Sequence, residues 1–561
     1  MNLYIKYFES SALEMLDKGI GRPNVPNACI KNEDFRFLSF AQGVFKLVFI
    51  LFLIFLPFTV SAQFSGGDGS QNNPYIIKTA AELAQLATSV NAGNADYNNK
   101  YYKLNNDIDL SDYQTDTGWI PIGISATYFF KGVFDGNNKK ITGLYIKRND
   151  YTGLFGCIQN ATIKNLGVID ANVTSTAVAV GIVVGTKSGG SMSNCYSTGS
   201  VESSYTSSGY NFGPASTASL GGVAGDNSGD ISDCYSSASV NFSGSLSGVG
   251  GVVGNNEGTV SNCYSTGSVN SSNNSSNGSF TGGVVGGNSN GGIVSNCYSA
   301  GSVSSISTSS GSCSVGGVVG STMGKVTNCY SISSINSSST AGSSTGGVVG
   351  YNGWSSSSIN GSEPTVTKGN VIGCVALNQS LKCTVNGKEY FGRVIGSNEG
   401  DSYSNFAFDN MLNPNGNTTW NNKSSSGKDG EDISTSSINA DGTLGGYFTS
   451  ENGWTTQSSK LPGLFGNTVD MPEYLVGNST GIIEPVQETS GLVIFPFPAI
   501  DFITVSGLKG NETLYFYNIS GQLLITRKAA SETEQIAIGH LPAGIYFVKT
   551  SAGQALKWVK K

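Results

Sequence analysis

The chain has 561 residues, with 76 Gly but only 14 Pro, 10% aromatic and 12% charged residues, and a formal net charge of −7. A chain of this length exceeds what one compact core usually holds, so several domains or a repeat array are expected. No basic stripe marks a nucleic-acid surface, and the recurring short apolar runs between Gly and Asn favour many short strands over a flexible coil.

The first element is an export address. Residues Lys46 to Gln63 read KLVFILFLIFLPFTVSAQ. The apolar core of about a dozen residues has the size of a signal-peptide h-region and is short for a membrane span. Pro57 breaks the helix. Val60 and Ala62 then supply the small-residue pattern before a cleavage point between Ala62 and Gln63. An uncleaved anchor is the alternative. No other stretch is expected to span a bilayer, so the mature chain is expected to have no transmembrane segment. Residues 1–62 form an N-terminal extension plus signal peptide, and residues 1–43 are assigned no role.

Residues 63–170 read as the opening coils and cap of an elongated fold. Ala80 to Val90 alone has helical periodicity, with Leu83, Leu86, Ala87 and Val90 on one face. A short helix there would cover an open first coil and block edge pairing. Trp119, Phe129, Phe130 and Phe134 are expected in the core. Asp107, Asp109 and Asp112 lie in NNDIDLSD, where Asp and Asn usually cap turns.

Residues 171–400 carry the strongest internal signal, a repeat. One phrase reads GIVVG at Gly181, GGVAG at Gly221, and GGVVG at Gly250, Gly282, Gly316 and Gly346. The second follows a turn: SNCYSTGSV at Ser193, SDCYSSASV at Ser232, SNCYSTGSV at Ser261, SNCYSAGSV at Ser295 and TNCYSISSI at Thr327. A degenerate copy holds Cys374 and GRVIG from Gly392 to Gly396. A single unit cannot bury its apolar face, whereas stacked units bury Val on Val and pair each backbone with the next coil. The fold class expected is all-β: a right-handed parallel β-helix (solenoid) followed by a small antiparallel β-sandwich. In the β-helix, Gly, Asn and Ser would supply positive-φ turns. A β-propeller is the second choice, although its blades usually run near 40 residues or more.

These phrases resemble the GLUG repeat of bacterial surface proteins. The preceding segment, from GGDGSQNNPYIIKTAAELAQLA to TGLFGCIQNATIKNLGV, is similar to the opening coils that precede such repeats, and to the matching part of IgA-peptidase-type surface proteins. The resemblance implies a β-helix and an extracellular location, and no activity. The metalloprotease of the latter proteins needs His-Glu-x-x-His, and this chain has one His.

Five cysteines share the repeat position (Cys195, Cys234, Cys263, Cys297 and Cys329), and Cys374 extends the column. Stacked coils would set their Cα atoms about 4.8 Å apart, inside the disulfide range. A ladder of small buried thiols is the first reading, regular disulfides the second, and a metal site the last, because no Cys-x-x-Cys or His partner is present. Cys313 and Cys383 fall outside the column, free to pair or to stay reduced.

Residues 401–480 lose the repeat but keep aromatic punctuation at Phe406, Phe408, Trp420, Tyr447, Phe448 and Trp454. Here NGWTTQSSKLPGLFG resembles the terminal coil that closes such helices, so the segment is read as terminal coils and a cap. Residues 481–490 form a linker. In residues 491–561 true alternation returns, in strands separated by Gly, Pro and Asn turns, enough for a small sandwich. This block resembles the type A C-terminal sorting domain of the type IX secretion system. FPFPA, with Pro496, Pro498 and Ala499, followed by Asp501, stands where that family has Tyr-Pro-Asn-Pro-Ala. YNISG ending at Gly521, LPAGIY with Leu541, Gly544 and Tyr546, and the basic end at Lys560 match its later motifs. The resemblance implies the type IX machinery as partner, and secretion or outer-membrane attachment in a Gram-negative bacterium.

From Gly181 to Gly350 the chain holds five acidic residues, two lysines and no Arg or His, which equips it poorly for acid–base chemistry. Asp226, Asp230 and Asp233 form the one acidic cluster there; sister repeats carry Asn or Ser instead. The expectation is a non-enzymatic surface protein with a binding, adhesin-like or structural role and no cofactor. Its possible ligands are a glycan or a host or extracellular protein. The alternative is a β-helix polysaccharide lyase or glycosidase, which would need paired carboxylates in a groove.

Overall fold

The structure, a computed structural model, describes residues 64–560 apart from 207–217, 246, 275–277, 290, 358–364, 386–387, 477–492, 496–498, 500–501, 509–511, 520 and 553–554. The cleavage residues Ala62 and Gln63 lie outside the described residues. The chain divides into two compact units, Met1–Met471 and Pro472–Lys561.

Among the described residues the first unit is a parallel β-helix with three large sheets of 25, 7 and 8 strands and one antiparallel pair, Trp354–Ser357 with Thr365–Lys368. Successive copies of the valine-glycine phrase pair in register. Val253 lies beside Val285, Val285 beside Val319, Val319 beside Val349, and Val349 beside Ile395. All are fully buried. Each such valine contributes roughly 1.5–3 kcal/mol relative to an exposed one, which only stacking can realise. The helix Ala80–Asn91 opens the unit with a capping box between Thr79 and Glu82, and it buries Leu83, Leu86, Ala87 and Val90. Of the four aromatics expected in the opening core, Trp119, Phe130 and Phe134 are buried. Phe129 is not: it is half-buried, with Lys131 Nζ 4.6 Å above its ring, because the turn before Phe130 points its neighbour outward.

The turns divide labour between Asn and Gly in a way composition does not show. The residue before each column cysteine is left-handed: Asn194, Asp233, Asn262, Asn296 and Asn328, with φ between 50° and 54°, and Gly373, with φ 61°. Asn and Asp tolerate this region best among residues with a Cβ. Asp233 therefore fills the same turn as its sister asparagines. The phrase glycines serve close approach instead. A Cβ on Gly282 would stand 2.0 Å from the Val285 carbonyl oxygen, and one on Gly286 2.3 Å from the Val249 nitrogen. These contacts let the 7- and 8-strand sheets meet backbone to backbone.

The interior also holds polar ladders. Asn227 donates to Asn256 at 2.7 Å, Asn256 to Asn288 at 2.8 Å, and Asn288 to the Thr322 hydroxyl at 3.0 Å. Two cations are also fully buried, Lys187 and Arg393. Lys187 starts the asparagine column, in register with Asn227, and its Nζ donates to the Gly190 carbonyl at 2.8 Å. Burial pulls its pKa down to about 8, opposed in part by Asp230.

Residues 401–433 continue the coils: Asp401–Tyr403, Phe406–Phe408 and Glu431–Ile433 all pair in parallel. The segment after the helix Thr435–Asp441 does not close the end as another coil. It lies along the side of the rod, folded on itself by antiparallel bridges from Thr455 to Gly463 and from Leu461 to Val469.

The second unit is an antiparallel sandwich. Its three-stranded sheet holds Val493–Phe495, Phe502–Ser506 and Thr533–Ala537. The four-stranded sheet runs in the order Leu523–Lys528, Thr513–Asn518, Gly544–Thr550 and Ala555–Lys560. Ile503, Val505, Leu514, Phe516, Ile536, Val548 and Trp558 form its core.

Candidate functional site

The cysteine column is assembled as stacking requires. All six members are free, and fully buried. Each thiol reaches the carbonyl two residues earlier, at 3.3 Å for Cys195, 3.1 Å for Cys234, Cys263 and Cys297, 3.2 Å for Cys329 and 3.5 Å for Cys374. In-register parallel strands hold neighbouring Cβ atoms about as far apart as their Cα atoms, roughly 4.8 Å. A disulfide needs about 3.8 Å. The column ends below on Leu166 and above on Asn405, whose side chain accepts from the Cys374 amide at 2.9 Å. Burial pushes the thiols of Cys195, Cys234, Cys263, Cys297 and Cys329 well up, and that of Cys157 to about 11. Thiolate attack is correspondingly slow. With a thiol reagent at neutral pH, the native rod is expected to label Cys383, which is half-buried, ahead of the column. Unfolding exposes the rest. Rapid labelling of Cys263 or Cys297 without unfolding would contradict this.

Next to that column, five tyrosines stack outward. Tyr196, Tyr235, Tyr264, Tyr298 and Tyr330 have successive ring centroids 4.9, 4.8, 4.7 and 5.1 Å apart. The side segment covers this ladder. Phe465 meets Tyr235 and Tyr264, Trp454 meets Tyr298 and Tyr330, and Phe448 meets Tyr330 edge-on. The Tyr330 hydroxyl donates to the Pro462 carbonyl at 2.6 Å. Sequence reading missed this strap. The available signal was the pairing of an uncovered Tyr in every Cys-Tyr phrase with an aromatic-rich tail that has no repeat.

Four of the six carboxylates flagged in the sequence accept hydrogen bonds, and the other two, Asp112 and Asp230, are exposed. Asp107 accepts from the Lys140 amide at 2.8 Å and Asp109 from the Ser111 amide at 2.9 Å. Asp112 lies in the 3-10 turn Ser111–Tyr113. Asp233 accepts from Asn262 at 3.0 Å. Asp230 is an exposed strand residue, paired in register with Thr259. Asp226 takes the Ser219 hydroxyl. Burial raises the Asp226 pKa to about 6; the Ser219 and Asn255 hydrogen bonds oppose this, and Glu257 adds to it. Its folded pKa lies above the unfolded one, so the folded state holds the extra proton between about pH 4 and 6, and stability falls as pH rises through that window. Asp226→Asn is therefore expected to stabilise the rod by about 2–3 kcal/mol at pH 7 and to be neutral at pH 4, as read by urea unfolding at the two pH values. A loss of stability at pH 7 would contradict it. Among the described residues no cluster of three or more His, Cys, Asp or Glu is placed to hold a metal ion.

A cleft of about 490 Å³ opens on the last coils, lined among others by Asn413, Asn417, Lys428, Asp429, the half-buried Phe391, and Trp420, which is mostly buried and donates its indole N–H to the Met411 carbonyl at 3.0 Å. The Phe391 and Trp420 rings meet edge to face at 5.9 Å. The Asn413 amide fixes the loop, donating to Asn417 Oδ1 at 2.7 Å and to the Thr419 carbonyl at 3.0 Å. Beneath it, Arg393 takes the place of the second glycine of the phrase. Its guanidinium donates to the carbonyls of Asp429 and Gly430, both at 2.9 Å, to that of Phe408 at 3.2 Å, and to the Asp432 carboxylate at 2.6 Å.

In the sandwich, the sequence-flagged positions build the module. Ala499 is buried, and its amide donates to the Val559 carbonyl at 2.9 Å. Gly521 turns at φ 79°. The Leu541 amide donates to the Ile538 carbonyl at 2.9 Å. Gly544 pairs with Lys560, which is buried. The Tyr546 ring stacks 4.8 Å from Trp558, and its hydroxyl donates to the Pro542 carbonyl at 2.7 Å. Pro496, Pro498 and Asp501 lie outside the described residues.

Residues 493–561 match the secretion system C-terminal sorting domain, and residues 245–270 match the GLUG motif. A putative Gly-rich membrane protein of Evansella cellulosilytica is 34% identical over 146 residues, covering 25% of this chain and 16% of that protein. Halomucin of Haloquadratum walsbyi is 36% identical over 124 residues, covering 21% of this chain and 1% of that protein. The chain thus spans a small part of either relative. No solved structure matches it. No helix among the described residues is long and apolar enough to cross a membrane. The chain thus carries a GLUG motif in its coils and a C-terminal sorting domain of the type IX secretion system.

Proposed function

We propose that this protein is a non-catalytic rod that the type IX machinery exports by way of residues 491–561, and that its coils bind a neutral glycan or an extracellular protein at the surface of a Gram-negative bacterium. The observation carrying this reading is the cleft at Phe391 and Trp420. Aromatic rings beside fixed amides suit sugar or peptide contacts. Engagement of Asp107, Asp109 and Asp233 in turns also supports it, since those carboxylates already serve the backbone. A glycan and matrix-protein array on residues 63–480 tests it. Capture of a ligand that Trp420→Ala abolishes is the expected result, and an array with no ligand would count against it. The second reading, a carbohydrate-active enzyme, draws on the raised pKa of Asp226 with Glu257 on the adjoining coil. Release of reducing ends or unsaturated products from a glycan panel, lost in Asp226→Asn, would favour that reading.

A further inference from the structure

The sorting module raises a question of exposure. Of its flagged residues, Leu541 and Gly544 are half-buried and Gly521 is exposed, while Ala499, Tyr546 and Lys560 are buried. The buried three hold the sandwich together and offer little surface to a receptor while it stays folded. Yet the module leaves large apolar side chains in solvent, which a small domain usually hides unless they meet a partner.

Phe502 is on the three-stranded sheet and Ile519 in the turn after Thr513–Asn518, but Leu523 and Phe547 share the outer face of the four-stranded sheet. Leu523, Tyr517, Phe547 and Lys557 sit side by side on its four strands, each in register with the next. Leu523 is 48% and Phe547 39% exposed. The adjoining row holds Thr526, Tyr515 and Lys549, and Lys528 follows opposite Thr513. Directly opposed antiparallel residues share one face, so this face carries an apolar and aromatic strip with three exposed lysines (Lys528, Lys549 and Lys557). None of the residues named on it is acidic. The inner face holds Phe516, Val548 and Trp558.

We propose that this strip is the surface by which the folded sorting module docks on a protein component of the secretion machinery, one with an apolar groove and an acidic rim. The lysines set the charge of the rim, and Leu523, Tyr517 and Phe547 supply the apolar anchor; a few central side chains usually dominate such contacts. The inference rests on the export reading above and adds the face that performs it.

The test uses the full chain in a bacterium that has the machinery, with surface and periplasmic fractions measured by immunoblot and module folding by protease resistance. Leu523→Gln with Phe547→Gln is expected to lower the surface fraction about tenfold while the module stays folded. Lys549→Glu with Lys557→Glu, both exposed, is expected to do the same. Phe502→Gln, exposed on the three-stranded sheet, is expected to export normally. Wild-type export of a folded Leu523/Phe547 variant overturns the assignment. If that variant unfolds, normal export of the lysine pair overturns it equally. Normal export together with lost binding to lipopolysaccharide vesicles in the lysine pair would assign the face to a lipid and overturn it as well. Deletion of residues 491–561 separates the two claims: export without the module would sink the export reading itself.

Discussion

Arg393→Met is expected to cost about 3–5 kcal/mol at the C-terminal end of the rod. The side chain is fully buried and answers the carbonyls of Asp429, Gly430 and Phe408 together with the Asp432 carboxylate. Earlier phrases stack against the next valine-glycine phrase. At Val394 and Ile395 both amides instead donate to the Lys428 carbonyl, at 3.1 and 2.9 Å, so the chain from Lys428 crosses over as a lid. Methionine fills part of the volume but leaves three buried carbonyls without their donor. Asp432 keeps only Lys423, at 3.1 Å. Half of that carboxylate is in solvent, so the lost ion pair is the smaller share and the abandoned carbonyls the larger. Burial alone would raise the Asp432 pKa, but hydrogen bonds from Arg393 and Lys423 outweigh it and hold it low. The contribution of that carboxyl is thus present above its unfolded pKa and lost as pH falls through the folded value. Because each coil touches mainly its neighbours, the damage stays local. Hydrogen exchange should accelerate across residues 393–433 while the coils from 230 to 330 keep their protection. Uniform acceleration, or none, would contradict the lid.

Gly282→Ala comes second, at about 3 kcal/mol or more, the upper end of overpacking. The new methyl would meet the carbonyl oxygen of Val285 at 2.0 Å, the Gly320 nitrogen at 2.7 Å and the Val318 oxygen at 2.8 Å. All are backbone atoms, so no side chain can swing aside. Gly291→Ala is the control. Its φ is 78° with nothing within 4 Å of a Cβ, and it should cost about 1 kcal/mol from backbone strain alone. Urea midpoints of the two variants decide the order; an equal loss would mean that the repeat glycines act through turn conformation rather than close approach.

That distinction marks how far the sequence was legible. The period of the Cys-Tyr and Gly-Val phrases gave the stacking, since neither phrase can bury itself. It also placed the cysteines in one column. It did not divide the roles of Gly and Asn, because both favour turns and only coordinates reveal which has a neighbouring coil at van der Waals distance. Arg393 was in plain view as the one charged residue inside the phrase, but the carbonyls it answers come from residues 408 to 430, beyond any local pattern. The strap from Phe448 to Phe465 was read as a closing coil for the same reason. Its aromatics are matched to tyrosines 118 to 230 positions earlier, a pairing with no period. In the sorting module the motif residues were legible as a set, while the exposed strip was not, since alternation alone does not say which face of a small sandwich stays bare.

Along the rod each coil lies directly above the one before it. Spin labels at Asp230 and Asp401, in a Cys383→Ser background, measure this. Asp230 connects through Thr259, Ile293, Lys325 and Asn370 to Asp401 by one unbroken register. Five strand spacings put the two sites about 24 Å apart, although 171 residues separate them. A narrow distribution near that value in a pulsed dipolar measurement is the predicted result; a broad distribution, or a maximum far from it, would mean that the repeats do not stack.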